Sequence, residues 1–575
     1  MKTFLALTSM EQTIDYSADE IVCIENGCLK KQYNAEKFKC MDRPFHTAQE
    51  VLEITQTANE VYEEILRELA LKLNEIHSLD LSGEAWRPIL HMWLPYYIEE
   101  MYSKYLHMRK AMDDYPHLYT NVLAETSFKH PYYGYGCWIW SLKKEEYNFQ
   151  LYSHVAQFMQ VEIKNRIDIK QSPSRMKTSK KVSSRATFFN TLARRAETIV
   201  IDPGQFDFTL MELWKMIVKS NFKIGFFYSE KVDLIPKEYD ELYRRKIRLE
   251  HNEEDSDFVR MIKEYIFEDI PTMYLEGFMD GYERLAKYRC KNIISAEGYV
   301  FHMAALLMGK TKNNGGKLYT VPLGGDGNIW QGVSEAYMDA MISDVLYTTG
   351  WKDDSYKCEL RKITNPRYLR ARQTVRYEEK KCDILYLATA TFAYCTLMSN
   401  VSSIFSKEFM DDNISLMEAL VKKQLKIRAR FFEDTGWGLD KRIKALGENA
   451  EIDDYGRKFI ETVFECKLCV MDSFGTAWAE ALVMNVPFII VIPKYMEFFT
   501  AAGWELVQKL RRIGIYFNNY QEVETNILDV LDDVELWWMN EERQKVLTQI
   551  ANEYAWCSKN AKKEWIDEFV SVSQE

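Results

Sequence analysis

The chain has 575 residues and a formal net charge of −12, so it is too long for one hydrophobic core and too acidic for general nucleic-acid binding. Hydrophobic residues make up 47% of it, as in ordinary globular proteins. No window approaches the roughly 18 apolar residues of a membrane span, and the first residues do not read as a signal peptide. We therefore expect a cytoplasmic protein of two or more domains without a transmembrane segment; peripheral contact with a membrane stays open.

The 11 cysteines are scattered and odd in number, which predicts that most of them are reduced thiols. Cys466 and Cys469 form one C-x-x-C pair without a second pair or a nearby histidine. We therefore expect no metal site there.

The first part of the chain combines short strands with a long helical stretch. Residues 4–8 and 21–24 predict two strands. Thr47 and Glu50 form a capping-box pattern that starts an amphipathic helix running to about His77. We expect a helical insertion at about 47–160.

A regular alternation of strands and helices follows. Residues 171–185 are polar and basic, which predicts a mobile surface loop. After it, residues 198–202 predict a strand, 205–219 a helix and 222–228 the next strand. Two such series, on either side of 310–320, predict an N-terminal α/β domain at 1–315 and a C-terminal α/β domain at 316–575.

Residues 466–493 outline a βαβ unit in the second half of the chain. Ser473, Gly475 and Thr476 stand between a strand and a helix that runs through Met484, so free backbone N–H groups favour a phosphate there. Glu480, one turn into the helix, is placed to bind ribose hydroxyls. The alternative is that Ser473 only caps the helix and Glu480 is solvated.

A glycine turn is the second candidate for a ligand contact. Gly324, Gly325 and Gly327 follow a predicted strand, and glycine lets a backbone approach a ligand closely. The turn is not a P-loop, because no GK[ST] follows it, and the spacing of a dinucleotide fingerprint is missing. Most glycine turns of this kind are only turns.

The order of several motifs resembles a known family. GG-x-G at 324–327 is followed by ISD and GW at 342–351, and then by D…T-x-W-x-E-A-L…N-x-P at 472–487. Between them stands an R…D-x-G-W…R pattern formed by Arg430, Asp434, Gly436, Trp437 and Arg442. With LNEIH at 73–77, IDP at 201–203 and a late Trp-Trp pair, the chain resembles bacterial transferases of surface-polysaccharide and nonulosonic-acid gene clusters, which look like GT-B glycosyltransferases.

This resemblance implies two Rossmann-like domains that face a cleft, with the last helix packed back on the first domain. The C-terminal domain would hold a nucleotide-sugar donor, and the N-terminal domain would face a glycan or lipid-linked acceptor. No metal or cofactor is implied besides the nucleotide sugar as co-substrate. Arg430 or Arg442 would stabilise the leaving phosphate. Asp326 or Asp434 would be the base that activates the acceptor, although both could equally be turn-formers.

The chain departs from the family pattern before the two glycines. Members of the family carry Gln-His there, and this chain has Pro322-Leu323. A histidine could act as acid, base or phosphate ligand, whereas leucine can do none of these. The missing histidine supports one alternative, a catalytically degenerate partner that binds nucleotide or glycan. A polyol-phosphate transferase and a nucleotide-sugar epimerase of similar fold also stay open.

Overall fold

The computed structural model describes most of the chain. The described residues are 2–29, 38–125, 127, 144–169, 184–229, 237–296, 300–322, 324–332, 335–373, 379–389, 393–394, 405–431, 437–453 and 456–575. Most of the predicted loop at 171–185 therefore lies outside the described residues, and its last two residues already belong to a helix. Across the described ranges, no helix is both long enough and apolar enough to cross a membrane.

The N-terminal part forms a five-stranded sheet in the order β3-β2-β1-β4-β5, in which all pairs are parallel. Its strands are β1 Thr3–Ala6, β2 Glu20–Cys23, β3 Phe38–Cys40, β4 Leu118–Leu123 and β5 Glu162–Ile167. Its helices are α1 Ala48–His77, α2 Gly83–Leu90, α3 Leu94–Asp114 and α4 Glu145–Phe158. The capping box predicted at Thr47 and Glu50 starts α1. The region at 47–160 is thus mainly helical, but it also contributes a buried strand, β4.

The middle part forms a second parallel sheet in the order β11-β10-β9-β8-β6-β7. Its strands are β6 Thr198–Ile201, β7 Ile224–Phe227, β8 Asn292–Ala296, β9 Lys317–Val321, β10 Val345–Thr348 and β11 Glu359–Lys362. Its helices are α5 Ser184–Ala193, α6 Leu210–Lys219, α7 Glu241–Arg244, α8 Asp257–Asp269, α9 Phe278–Arg284, α10 His302–Asn313 and α11 Glu335–Ile342.

The predicted domain boundary between 315 and 316 is wrong, because it falls inside this second sheet. The strands on its two sides, β8 and β9, pair with each other along their length, from Asn292 with Lys317 to Ala296 with Val321. The glycines at 315 and 316 form only the turn between α10 and β9. Alternation of strands and helices shows that strands exist, but it does not show which sheet each of them joins.

The C-terminal part forms a third parallel sheet in the order β14-β13-β12-β15-β16-β17. Its strands are β12 Cys382–Ala388, β13 Ile427–Phe431, β14 Ala450–Ile452, β15 Cys466–Met471, β16 Phe488–Val491 and β17 Tyr516–Phe517. Its helices are α12 Pro366–Gln373, α13 Ser406–Lys422, α14 Leu439–Lys444, α15 Phe459–Thr462, α16 Thr476–Met484, α17 Ala501–Arg512 and α18 Tyr520–Asp532. The closing helices are α19 Val534–Trp538, α20 Glu541–Tyr554 and α21 Ala561–Val572.

The last helix returns to the second sheet, as the family resemblance implied. Trp565 and Phe569 of α21 belong to the same core cluster as Val200 of β6 and Phe226 of β7. The Trp565 indole N–H also donates to the carbonyl of Thr364 at 2.8 Å. The second and third sheets are the two Rossmann-like units expected for this chain, and the five-stranded sheet precedes them as an additional unit.

Candidate nucleotide site

The third sheet places a cavity at the point where its strand order reverses. Numbered from its first strand in the chain, this sheet has the order 3-2-1-4-5-6, the arrangement of dinucleotide-binding folds. The reversal lies between β12 and β15, which are neighbours in the sheet. A cavity of about 730 Å³ opens beyond the carboxyl ends of these strands, and its wall includes Thr389 after β12 and Ser473 after β15. Doubly wound sheets bind their ligands at this position.

Asp472 joins the two loops that follow these strands. Its buried carboxylate accepts both the backbone N–H of Thr389, at 2.8 and 2.9 Å, and the hydroxyl of Thr389, at 2.5 Å. The side-chain amide of Asn413 donates a further hydrogen bond at 2.9 Å. Burial raises the pKa of Asp472 to about 6 in spite of these donors. The hydroxyls of Thr389 and Ser473 are thereby held 2.6 Å apart at the cavity wall.

The N-terminus of α16 faces the same cavity. Gly475 is its N-cap residue, and no side chain caps the helix there. Gly475, Thr476 and Ala477 line the cavity, so the first backbone N–H groups of the helix lie at its wall. A Cβ atom built on Gly475 would meet only the Ser473 hydroxyl, at 3.9 Å. The space in front of this glycine therefore belongs to the cavity, and an anion can approach the backbone closely.

Glu480 lies one turn further along α16 and also lines the cavity. Among the described residues of the wall it is the only acidic side chain. Burial raises its pKa to about 7, and nearby cations oppose that rise. These cations are Arg367, Arg370, Arg430 and Lys458. A carboxylate in this position can accept hydrogen bonds from the hydroxyl groups of a ligand.

The four cations reach the cavity from both sides of the cleft. Arg430, at the end of β13, is ion-paired with Asp453 and donates to the carbonyl of Arg457 at 2.9 Å. Arg367 and Arg370 come from α12, which follows the last strand of the second sheet. Arg370 donates to the carbonyl of Gln205 at 2.5 Å, and Gln205 also lines the cavity. A wall with this charge favours a ligand that carries several negative charges.

The predicted glycine turn at 324–327 lies behind α16 and does not line this cavity. A Cβ on Gly325 would lie 2.7 Å from the carbonyl oxygen of Gly475, and the Trp478 indole N–H donates to the Gly325 carbonyl at 2.8 Å. Gly327 has a φ of +52°, and its Cβ would lie 3.0 Å from the Trp351 ring. Gly325 therefore brings the loop after β9 against α16 of the third sheet, whereas Gly327 packs on Trp351 within the loops of the second sheet; Gly324 precedes both in the turn. Their contact with a nucleotide stays a prediction.

Two further predicted residues, Asp326 and Arg442, are not part of the described wall of the cavity. Asp326 is 1% exposed. Arg442, on α14, donates to Asp411 of α13 at 2.7 Å. Asp434 lies outside the described residues, as does Leu323, which replaces the family histidine. Roles for Asp326 and Asp434 as the base and for Arg442 as a phosphate ligand therefore stay predictions.

The sequence analysis did not identify several residues of the cavity wall, among them Arg367, Arg370, Thr389 and Lys458. Thr389 could have been found, because it directly follows the strong strand β12 and the carboxyl ends of neighbouring parallel strands meet at one edge. Arg367 and Arg370 belong to a helix after the second sheet. Their position at a cavity of the third sheet depends on how the two sheets pack, which no local pattern indicates.

Two solved structures resemble this chain at low sequence identity. MurG from Acinetobacter baumannii is 11% identical over 65% of this chain and 99% of its own, with a TM-score of 0.33. A UDP-GlcNAc 2-epimerase from Methanocaldococcus jannaschii, solved with UDP-GlcNAc and UDP, is 13% identical over 65% of this chain and 99% of its own, with a TM-score of 0.37. TM-scores in this range do not establish a shared fold. No curated protein sequence matches the chain.

A family model covers almost the entire chain. The model of the LIC12162 family transferases matches residues 3–569, which include all three sheets and the cavity between the second and the third. This match also agrees with the order of motifs from the glycine turn to the βαβ unit at 466–493. The protein therefore belongs to the LIC12162 family transferases.

Proposed function

We propose that this protein is a cytoplasmic GT-B-type glycosyltransferase that moves a sugar from a nucleotide-sugar donor to a glycan or lipid-linked acceptor in surface-glycan synthesis. The observation that carries the proposal is the cation-lined cavity at the strand-order reversal of the third sheet, where the uncapped N-terminus of α16 lies beside Glu480. The family membership, a transferase family, supports the class of reaction.

The cavity offers separate contacts for the two parts of a nucleotide. The phosphates would lie at Ser473, Gly475 and Thr476, where backbone N–H groups and the helix dipole favour negative charge. Arg430 would add a charged donor from the neighbouring strand. Glu480 would accept hydrogen bonds from the ribose hydroxyls, which fixes the nucleotide in one direction along the cavity.

In the reaction, the bond between the anomeric carbon and the phosphate oxygen breaks, and its electron pair leaves with the nucleotide. The acceptor oxygen forms the new bond to the anomeric carbon and loses its proton to a base. The α16 N-terminus and Arg430 would stabilise the charge that develops on the leaving phosphate. Asp326 and Asp434 are the proposed bases, and Asp326 would need the cleft to rearrange before an acceptor could reach it, because it is buried.

The test combines binding with product analysis. CMP-, CDP-, UDP- and GDP-sugars are screened for an increase in the unfolding temperature, and the donor that binds is then incubated without acceptor and its products are identified. Slow release of free sugar supports a glycosyltransferase, because water takes the place of the acceptor. CDP-glycerol is tested beside the nucleotide sugars, and release of glycerol phosphate from it indicates a polyol-phosphate transferase. Conversion of a nucleotide sugar to its isomer indicates an epimerase. Either product contradicts the proposal.

A non-catalytic binding protein is the second candidate. It is favoured by the leucine at position 323, where the family carries a histidine. This candidate predicts that a nucleotide sugar binds without any turnover, even when acceptor-rich membrane extracts are added. Restoring the family residue in a Leu323→His variant would then create activity, whereas a parent protein that already turns over its donor excludes this candidate.

A further inference from the structure

Helix α6 exposes several large apolar side chains to the solvent. It covers the second sheet with Leu213, Met216 and Ile217, which are buried. Its outer side carries further large apolar residues, among them Met211 at 66% and Val218 at 61% exposure. The outer side of a surface helix is normally polar, because nothing covers it. This side of α6 therefore requires an explanation beyond the packing of the domain.

The apolar surface continues beyond the helix. Phe188 of α5 is exposed, and its ring centroid lies 5.9 Å from that of Trp214. Phe222, in the turn after α6, is 60% exposed and has a φ of +62°, directly after Asn221 with a φ of +53°. These two residues form the turn that ends α6, in which the Phe222 N–H donates to the carbonyl of Ile217 at 2.8 Å. The turn leaves the Phe222 side chain exposed beside the helix. We call the α6 face the set Phe188, Leu210, Met211, Trp214, Val218 and Phe222.

Two lysines lie within this surface. Lys215 and Lys219 are exposed on the outer side of α6. Neither forms an ion pair with a carboxylate in the described part of the chain. The nearest acidic residue of the helix, Glu212, forms a capping box with Thr209 and attracts both Lys215 and Lys562 electrostatically, whereas Lys219 has no such neighbour in the described part of the helix. Exposed apolar and aromatic side chains interleaved with lysines are the pattern of a helix that lies in the interface of a membrane with anionic lipids.

We propose that the α6 face docks on an anionic phospholipid surface. The charge of the face argues against a second copy of the chain as its occupant. A two-fold dimer would bring the same patch of both copies together, so that Lys215 and Lys219 would lie near their own equivalents. Acidic headgroups instead complement both lysines while the apolar side chains enter the boundary of the acyl chains.

Only the beginning of α6 lies close in the chain to the cavity, because Gln205 lines the cavity and precedes Leu210, the first residue of α6, by a short segment. None of the residues of the α6 face is in the described wall of the cavity. The inference does not require the proposed transferase activity, since it rests only on the exposed residues and their charge.

Vesicle flotation with the full-length protein tests the proposal. The parent is expected to float with vesicles of phosphatidylcholine and phosphatidylglycerol and to bind pure phosphatidylcholine more weakly. The variant Met211→Asp/Val218→Asp should bind the mixed vesicles at least about tenfold more weakly, because two apolar side chains no longer enter the bilayer. Lys215→Ser/Lys219→Ser should lose about fivefold per lysine, and only with the anionic vesicles.

Leu71→Asp is the matched control, because Leu71 of α1 is 72% exposed and lies outside the α6 face. It should bind vesicles like the parent. All variants change exposed residues, and an unaltered thermal unfolding curve confirms that each has folded. The proposal is overturned if the parent fails to float, or if the Met211→Asp/Val218→Asp variant floats like the parent. It is also overturned if light scattering shows that the parent is a dimer and this variant a monomer, since a second copy would then cover the face.

Discussion

Glu480 illustrates how a single side chain links the fold to the proposed chemistry. It is partly buried in the cavity wall, which also contains four cationic side chains. Its pKa is raised to about 7 because the effect of burial is larger than the attraction of these cations. The folded protein therefore disfavours the ionised form relative to the unfolded chain, whose glutamates titrate near 4.5. The stability of the empty protein should consequently fall as the pH rises from about 5 to about 7.

The variant Glu480→Gln separates binding from stability. Without a charge to bury, it should be at least as stable as the parent above pH 7 and equal to it near pH 5, as thermal unfolding will show. Nucleotide affinity should fall by about 1–3 kcal/mol, because the ribose hydroxyls lose a charged acceptor. A variant that binds every nucleotide sugar like the parent but unfolds earlier would show that Glu480 is structural.

Gly475 tests whether the space before α16 is the phosphate site. Its φ of −105° suits any residue, and an added Cβ meets only the Ser473 hydroxyl at 3.9 Å. We expect Gly475→Leu to fold normally but to bind nucleotides at least about tenfold more weakly, since the side chain fills the space that the phosphates need. Isothermal titration measures this loss.

Gly83→Leu is the control for this substitution, because Gly83 also begins a helix and has no atom within 4 Å of an added Cβ. It should cost a similar small amount of stability without changing nucleotide binding. Equal affinity of Gly475→Leu and the parent would place the phosphates elsewhere.

At the scale of elements, the loops of the second and third sheets meet at two glycines. Gly325 approaches Gly475 so closely that a Cβ would lie 2.7 Å from its carbonyl oxygen and 3.0 Å from Cβ of Ala479. The Gly475 carbonyl oxygen is a backbone atom, so it cannot move aside for a larger residue at position 325 as the end of a flexible side chain could. The glycine turn therefore fixes the position of α16, which carries the candidate site, relative to the second sheet.

Gly325→Ala should consequently destabilise the protein by about 1–3 kcal/mol through overpacking. Chemical denaturation measures the change in unfolding free energy. Gly204→Ala is the matched control, because nothing lies within 4 Å of an added Cβ there, and it should change stability by less than about 0.5 kcal/mol. Similar losses in both variants would show that the contact at Gly325 is unimportant.

Local elements of this chain follow well from its pattern. The predicted helix through Met484 is α16, Thr476–Met484, and the second strand of the βαβ unit predicted at 466–493 is β16, Phe488–Val491. The boundary between them is clear in the sequence, because Asn485 ends the helix and a proline precedes the strand. The predicted helix at 205–219 begins later, at Leu210, because a 3-10 turn over Pro203–Phe206 comes first. Thr209 caps α6 there with a capping box that local spacing could have indicated.

Relations between distant segments did not follow from the pattern. Two series of strands and helices on either side of 310–320 suggested a domain boundary there, but strands from both sides of this point, β8 and β9, pair in one sheet. Glu480 was correctly placed beside the α16 N-terminus, because both belong to one helix. Arg367 and Arg370 were missed because they reach the cavity from α12, across the cleft. Sheet membership and contacts across the cleft depend on packing between residues far apart in the chain.

At the scale of the whole molecule, one tyrosine joins the first sheet to the loop that follows β12. The Tyr394 hydroxyl accepts a hydrogen bond from the backbone N–H of Ser9 at 3.1 Å and is also hydrogen-bonded to Glu145. Its ring is fully buried and would lie 2.8 Å from a Cβ on Gly27. The same loop begins at Thr389, in the wall of the cavity. Tyr394 therefore links the first sheet to a chain segment that follows β12 of the third sheet.

Tyr394→Ala should remove this connection and lower the unfolding free energy by about 3–5 kcal/mol, the usual cost of truncating a buried aromatic side chain. Calorimetry should then show the first sheet unfolding in a separate, earlier transition. Tyr16→Ala, at a tyrosine of the same unit that is 49% exposed, is the control and should retain the profile of the parent. An unchanged profile for Tyr394→Ala would mean that other contacts hold the first sheet in place.

The central claim is that the cavity of the third sheet binds the donor, with contacts from α16 on one side of the cleft and from α12 on the other. Hydrogen exchange of the parent with and without a nucleotide sugar tests this claim most directly. The CMP-, CDP-, UDP- and GDP-sugars serve as probes. At least one of them should slow exchange both at residues 471–480, around the α16 N-terminus, and at residues 366–373, in α12. Protection confined to other parts of the chain, or no protection with any of these sugars at saturating concentration, would contradict the account.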